Sequence, residues 1–332
     1  MHNLYLYPDI YFEPTYAKLY ANKDEKVVEF RHESALGVIT NLFIIRKVPY
    51  NLEDKVQYYD IVTPYGYGGP IIHNTSNKDK LIKEYLAEFQ KYVDENNIIA
   101  EFIRFHPLLN NALDFKEIYN SIYDRKTVGT NLTYEDVIST EFSKHKRKDI
   151  RRILKNPNIR FEINENPIKL DEFIEIYYST MERNKADSYY FFNKNYFDEL
   201  LKKFQKNIIT CKVFFKEKLI AMGVYFRYGK LLHAHLSGSL TEYLEFSPAY
   251  ILKYAMAIYG HEKNYELIHY GGGTTASPEN FLYKFKKDFG KNTEFDFYIS
   301  KKIWNPSVYN QMCQKAGVDP NSSFFPAYRS KR

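Results

Sequence analysis

The chain has 332 residues, 44% hydrophobic and 27% charged, with 32 Tyr and 25 Phe. At roughly 100–200 residues per domain this suggests two domains, and the composition excludes a disordered chain while favouring sheets and aromatic-lined pockets. The net charge of +6 is mild but uneven, because KHKRKDIRRILK at 144–155 gathers basic residues in one place, which fits an anionic substrate or carrier.

Cys211 and Cys313 are the only cysteines, and no short Cys or His spacing reads as a metal site, so a reducing compartment is expected. The opening MHNLYLYPDIYFEP has no basic start followed by a long apolar run. No window approaches the ~18 apolar residues of a membrane helix. The expectation is therefore a cytoplasmic protein without an integral membrane segment.

In chain order, KVVEF, LGVITNLFIIRKV and VQYYDIV between Lys26 and Val62 read as strands, broken at TPYGYGGP. From 78 to 96 Leu81, Ile82, Tyr85, Leu86, Phe89 and Val93 recur at helical spacing, and IIAEFIRFHP follows as a strand. The basic segment from Phe142 reads as a helix with Ile150, Ile153 and Leu154 on one face. Helices follow at 170–184 and 195–205, then antiparallel strands over 207–238 with hairpin turns at KEKL and RYGK. Ser247 and Pro248 open a further helix, as cap and first-turn residue, and YELIHY leads as a strand into Gly271, Gly272 and Gly273. Two α/β units of similar size result, each with an antiparallel meander and a crossover helix.

The GGGTT segment is neither a Walker loop nor a dinucleotide fingerprint. Its glycines make either a plain turn or a backbone able to approach a ligand and hold an anion. In FLYKFKKDFG a strand would put Tyr283, Phe285 and Lys287 on one face and Lys284, Lys286 and Asp288 on the other, an arrangement suited to a base with its phosphate or to a solvated amphipathic segment. TPYGYGGP is either a pocket wall presenting Tyr65 and Tyr67 or a loop packed on itself. Arg104 and His106 share a strand face, which makes His106 a candidate general base. His233 and His235 also share a face, but no third metal ligand is evident. Neither a G-x-S-x-G elbow nor a catalytic cysteine setting is present.

Taken in order, DIYFEPTYAKLY, YYDIVTPYGYGGP, AEFIRFHPLLNN, KHKRKDIRRILK, FIEIYYSTMERNKADSYYFFNKNYFDEL, HAHLSGS and GGGTTASPENFLYKFKKDFG resemble the Fem-type branch of the GNAT acyltransferases, with its peptidoglycan-bridge aminoacyltransferases and acetyltransferase-like relatives. The T-x-x-R segment at 180–183 with the following SYYFF, and the glycine run with the Phe-Lys pair, are its most specific parts. The resemblance implies an α/β (α+β) fold: two tandem GNAT-like domains with mixed, largely antiparallel sheets and a cleft between them. Residues 1–145 with 303–332 would form the acceptor side, and 146–302 the donor side.

What the resemblance further implies is transfer of an activated acyl or aminoacyl group to an amine of a cell-wall or surface-polysaccharide precursor. Phe285 and Lys286 would hold the donor and stabilise developing charge, together with Tyr270, Gly271, Gly272, Gly273 and Thr274. Arg46, Tyr65, Tyr67, Gly68, Gly69, Arg104 and Arg183 would serve an anionic acceptor, either a small molecule or a lipid-linked precursor met at the membrane surface. His106 stands where bridge-forming relatives carry Asp, there is no inserted helical arm, and LTEYLEFSP lacks the usual pyrophosphate loop. The donor is thus either an acyl-CoA such as acetyl-CoA or an aminoacyl-tRNA, with no metal. The rival expectation is a non-catalytic, degenerate GNAT module that binds nucleic acid or a phosphorylated carrier.

Overall fold

The computed structural model describes residues 7–330. Among these the chain forms two compact units: a flanking unit of 7–124 and 296–330, and an inserted unit of 125–295. The expected domain limits at 145/146 and 302/303 lie elsewhere, since the chain leaves and re-enters the flanking unit within two long strands. Residues 1–6 and 331–332 of the expected first domain lie outside the described residues.

In the flanking unit β1 (Lys26–Ser34) and β2 (Gly37–Lys47) form a hairpin in register from Lys26↔Ile45 to Ser34↔Gly37. Strand β2 then pairs antiparallel with β3 (Tyr59–Val62) at one end and with β4 (Ile71–Thr75) at the other. Helix α1 (Lys78–Glu95) crosses over to β5 (Ile98–Arg104), which lies parallel to β3. Asn77 starts the helix, its side chain accepting the Lys80 N–H at 3.2 Å. Leu81, Tyr85, Phe89 and Val93, all fully buried, form its core stripe and pack with Ile39, Phe43 and Ile98. Burial on this scale contributes about 1.5–3 kcal/mol for each large apolar side chain.

The inserted unit begins with β6 (Ile122–Asn131), whose last residues enter it, and continues through α2 (Lys144–Ile153), β7 (Ile159–Glu165), α3 (Asp171–Arg183) and α4 (Lys194–Phe204). Strands β8 (Ile208–Phe215), β9 (Lys218–Tyr228) and β10 (Leu231–Ser239) form the expected meander, with Lys216 and Gly229 at positive φ in its two hairpin turns. Helix α5 (Pro248–Glu262) crosses over to β11 (Leu267–Gly272), parallel to β10, and α6 (Phe281–Lys287) follows. The strand order is β6-β11-β10-β9-β8-β7. Pro248 occupies the first turn of α5 as expected, whereas Ser247 makes no side-chain cap because it sits in the left-handed region at φ 45°.

The chain then returns to the flanking unit through β12 (Glu294–Ile303), antiparallel to β5, and α7 (Pro306–Ala316). Each unit thus contains an antiparallel meander, one crossover helix and one parallel strand pair, the repeated architecture read from the sequence.

One local expectation is overturned. FLYKFKKDFG is helical over Phe281–Lys287, not extended. Phe285 and Phe289 lie one turn apart with ring centroids at 5.3 Å, and both face Tyr250, at 6.0 and 5.7 Å. A strand would also put them on one face but about 13 Å apart, and the helical turn is what brings the rings into contact. Gly290 ends the segment where a side chain cannot fit: an added Cβ would stand 1.9 Å from the Gly129 carbonyl oxygen.

Candidate active site

The glycines at the end of β11 are built into a loop, not a free turn. A bulge between His269 and Gly271 interrupts the pairing of β11 with β6, and Gly271 has φ +74°, a backbone state natural to glycine. Asn280 closes the loop. Its Oδ1 accepts the Tyr283 N–H at 3.1 Å, capping α6, and its Nδ2 donates to the Thr274 and Thr275 hydroxyls at 2.7 and 3.2 Å. A Cβ on Gly273 would meet Asn280 Oδ1 at 2.4 Å, so this closure requires glycine there.

Two cations converge on the glycine carbonyls. Lys286 Nζ donates to Gly272 O at 2.6 Å, and the Arg125 guanidinium donates to Gly273 O at 2.8 Å. Neither carbonyl neutralises a charge. Burial first, and the charge on Arg125 second, draw the Lys286 amine down from 10.5 to about 7. The neighbouring cations are committed elsewhere: Lys287 pairs with Glu294 at 2.6 Å, and Lys284 pairs with Glu279.

Beneath the loop Tyr270 is buried, its hydroxyl 2.7 Å from Thr130 Oγ1, which itself donates to the Phe289 carbonyl at 2.6 Å. The face of the Tyr270 ring lies 3.7 Å from Nζ of Lys253, on α5. On the same helix Tyr250 accepts from Lys146 Nζ at 2.8 Å, and Lys146 also pairs with Asp288 at 3.5 Å. The structure therefore brings Tyr270, Gly271, Gly272, Gly273, Thr274, Phe285 and Lys286 together, and adds Arg125, Asn280, Lys146 and Lys253. The last was detectable as the single lysine inside the apolar run AYILKYAMAIYG.

A second cluster lies in the flanking unit. Arg104 clamps the TPYGYGGP loop, its guanidinium donating to the Thr63 and Pro64 carbonyls at 2.9 and 2.8 Å. The Gly68 N–H donates to Arg104 O at 2.8 Å, and Asn111 donates to Gly68 O at 2.9 Å. Gly69 sits at φ +86°, with Ile103 2.9 Å from where its Cβ would stand. Tyr65 stacks on Tyr20 at 5.2 Å, and Tyr67 packs edge-on against Tyr11, His106 and Phe297. The two tyrosines of the loop thus pack against other segments of the flanking unit, not on the loop itself.

His106 is corrected by its surroundings. The residue is buried; its Nδ1 accepts the Leu108 N–H at 3.2 Å, which leaves the proton on Nε2, facing Asp9 at 3.1 Å. An imidazole whose one lone pair is already taken has none to offer an incoming amine. Arg46 forms an ion pair at 2.7 Å with buried Asp60, which also receives Arg329 and the Tyr328 hydroxyl. Arg183 belongs to the inserted unit, whereas the other residues expected on the acceptor side belong to the flanking unit, and it donates to Ser239 O and Thr241 Oγ1, both at 2.9 Å. Among the described residues no His, Cys, Asp and Glu group is arranged to hold a metal ion.

Comparisons with known proteins agree with this architecture. Residues 141–287 match the family model described as Acetyltransferase (GNAT) domain, a span inside the inserted unit that ends at Lys287. No curated protein sequence matches the chain. Among solved structures the chain is similar to FemX, with 16% identity, coverage of 93% of this chain and 95% of that one, and a TM-score of 0.67. L-PGS from Bacillus licheniformis aligns at 15% identity over 86% of each chain with a TM-score of 0.52. A tandem GNAT protein from the clavulanic acid biosynthesis pathway aligns at 9% identity over 85% of each chain, with a TM-score of 0.50. Residues 141–287 thus match a GNAT acetyltransferase domain, and the chain as a whole shares the fold of FemX and of a tandem GNAT protein.

Proposed function

We propose that the protein moves an activated acyl group from its carrier to an amine of a cell-wall or surface-polysaccharide precursor by direct attack. The observation that carries this reading is the Lys286 amine, set on the Gly272 carbonyl at 2.6 Å beside Arg125, within the segment that matches the acetyltransferase domain. A GNAT domain in general uses acyl-CoA, and an acyl-CoA is the first donor to test. The amine nitrogen forms its bond to the thioester carbonyl carbon, and the charge that develops on oxygen is met by the Lys286 ammonium. The C–S bond then breaks, the thiolate leaves with the electron pair and takes up a proton, and the amine proton passes to water.

No enzyme nucleophile is required. Cys211 and Cys313 are buried, and burial raises both thiols above their ordinary value, the opposite of activation. With His106 already engaged, water is the proton acceptor in this scheme.

The test is transfer from acetyl-CoA to a panel of amino sugars, read as thiol release, in the wild type and in Lys286→Ala. Loss of a preorganised oxyanion partner lowers kcat by about 10²–10³-fold. An unaltered rate in a folded variant removes Lys286 from the mechanism.

One observation favours a second donor, an aminoacyl-tRNA. Lys144, Lys148, Arg151 and Lys155 follow one another along one side of α2 and just beyond it, exposed and without an ion-pair partner among the described residues. A stripe of this kind fits a phosphate backbone. The membrane-facing acceptor rests on FemX and L-PGS as neighbours in fold; none of the described helices is long and apolar enough to cross a membrane.

A further inference from the structure

Lys253 is anomalous. It is 8% exposed, on a helix whose neighbouring residues Ile251, Leu252, Ala255 and Met256 are core, and among the described residues its amine has no hydrogen-bond acceptor and no carboxylate. Its one polar feature is the Tyr270 ring face at 3.7 Å, which attracts an ammonium but takes none of its three N–H bonds. Buried charges in proteins are paired or hydrogen-bonded, because an unpaired one loses its hydration without return. Lys286 is half-buried, with one neutral carbonyl as its hydrogen-bond partner.

The carboxylates on and beside this segment are committed. Asp288 is with Lys146, Glu294 is with Lys287, and buried Glu141 accepts from the Asn292 N–H and the Thr293 hydroxyl. Burial and the proximity of Lys286 together press the Lys253 amine well below its ordinary value. An anion placed between the two amines would satisfy both and reverse that pressure.

We propose that Lys253 and Lys286 form a paired-amine site for an anionic oxygen of the acyl donor. The inference rests on the acyl-transfer reading of this unit and adds Lys253 to it as a residue that touches the ligand. The anionic oxygen has two sources with the same chemistry: a phosphate of the carrier, bound in the ground state, or the carbonyl oxygen as it becomes an oxyanion.

The experiment uses the whole protein with lysine side chains labelled with ¹³C, titrated with inorganic phosphate and pyrophosphate while the Lys253 and Lys286 Cε signals are followed. It is repeated in Lys253→Met, which keeps the side-chain volume over Tyr270 and removes the amine. Both signals moving with one Kd, and at least tenfold weaker binding in Lys253→Met, assign the site to a carrier phosphate. No phosphate response, with kcat for acetyl-CoA thiol release down at least tenfold and KM unchanged in Lys253→Met, assigns it to the oxyanion. No change in any of these in Lys253→Met overturns the inference. The wild-type titration needs no variant: if Lys253 is still while Lys286 alone moves, the pairing is overturned even should Lys253→Met not fold. Full transfer activity in Lys286→Ala would instead overturn the acyl-transfer role of Lys286, and phosphate binding by the pair would be judged separately.

Discussion

Lys286 can stabilise an oxyanion only while its amine is protonated. With its pKa drawn to about 7 by burial and by Arg125, the charged fraction falls as the pH rises through neutrality. The acyl-transfer rate should therefore decline above pH 7 along a limb set by this amine. Arginine keeps its charge throughout this range, so Lys286→Arg is expected to lower the rate through altered geometry and to abolish the alkaline limb. The measurement is kcat/KM from pH 5.5 to 9 in both proteins; a limb that persists unchanged in Lys286→Arg assigns the titration to another group. At this scale the sequence marked Lys286 through the Phe-Lys pair but misled on His106. Its place before a proline was visible, while the burial of both ring nitrogens depends on Leu108 and on Asp9, which is 97 residues away.

Helix α6 exists because Asn280 begins it and Gly290 allows it to end. The sequence shows an alternation of Phe281, Tyr283 and Phe285 that suits a strand, and period-two reading favours that outcome. Two features outweigh it: the side-chain cap at Asn280, and the Phe285 and Phe289 rings that share a helical face against Tyr250. The cap is local and lies in the sequence as an Asn three residues before Tyr283, whereas the packing on Tyr250 is not visible without α5 in place. Asn280→Ala should cost about 1 kcal/mol through the lost cap, a fall in Tm of about 2–4 °C for a unit of this size. Asn280→Asp retains an acceptor for the Tyr283 N–H and loses the donors to Thr274 and Thr275. It is expected to melt near the wild type yet bind acetyl-CoA more weakly, because the glycine loop is no longer closed. Thermal melts with calorimetric titration separate the two effects. Wild-type melting of Asn280→Ala would show that the cap carries no stability here.

For the molecule as a whole, the repeated meander and crossover were legible because strand and helix periods differ and KEKL and RYGK name their own turns. The limits of the units were not, because β6 and β12 each run across one and a strand carries no composition shift at such a point. Charge distribution was legible in outline alone. KHKRKDIRRILK reads as uniformly basic, yet the fold spends Lys146 on Tyr250 and Asp288, and Arg147 on Ser139, leaving Lys144, Lys148, Arg151 and Lys155 to form the exposed stripe. If that stripe follows an RNA backbone, each phosphate contact contributes roughly 0.7–0.9 to the slope of log K against log salt. Changing the four residues to Gln should therefore reduce the slope for tRNA by about 3 and leave acetyl-CoA binding as it was. Binding isotherms between 50 and 250 mM salt decide this; an unchanged tRNA slope would remove the stripe, and with it the observation that favours a tRNA-borne donor.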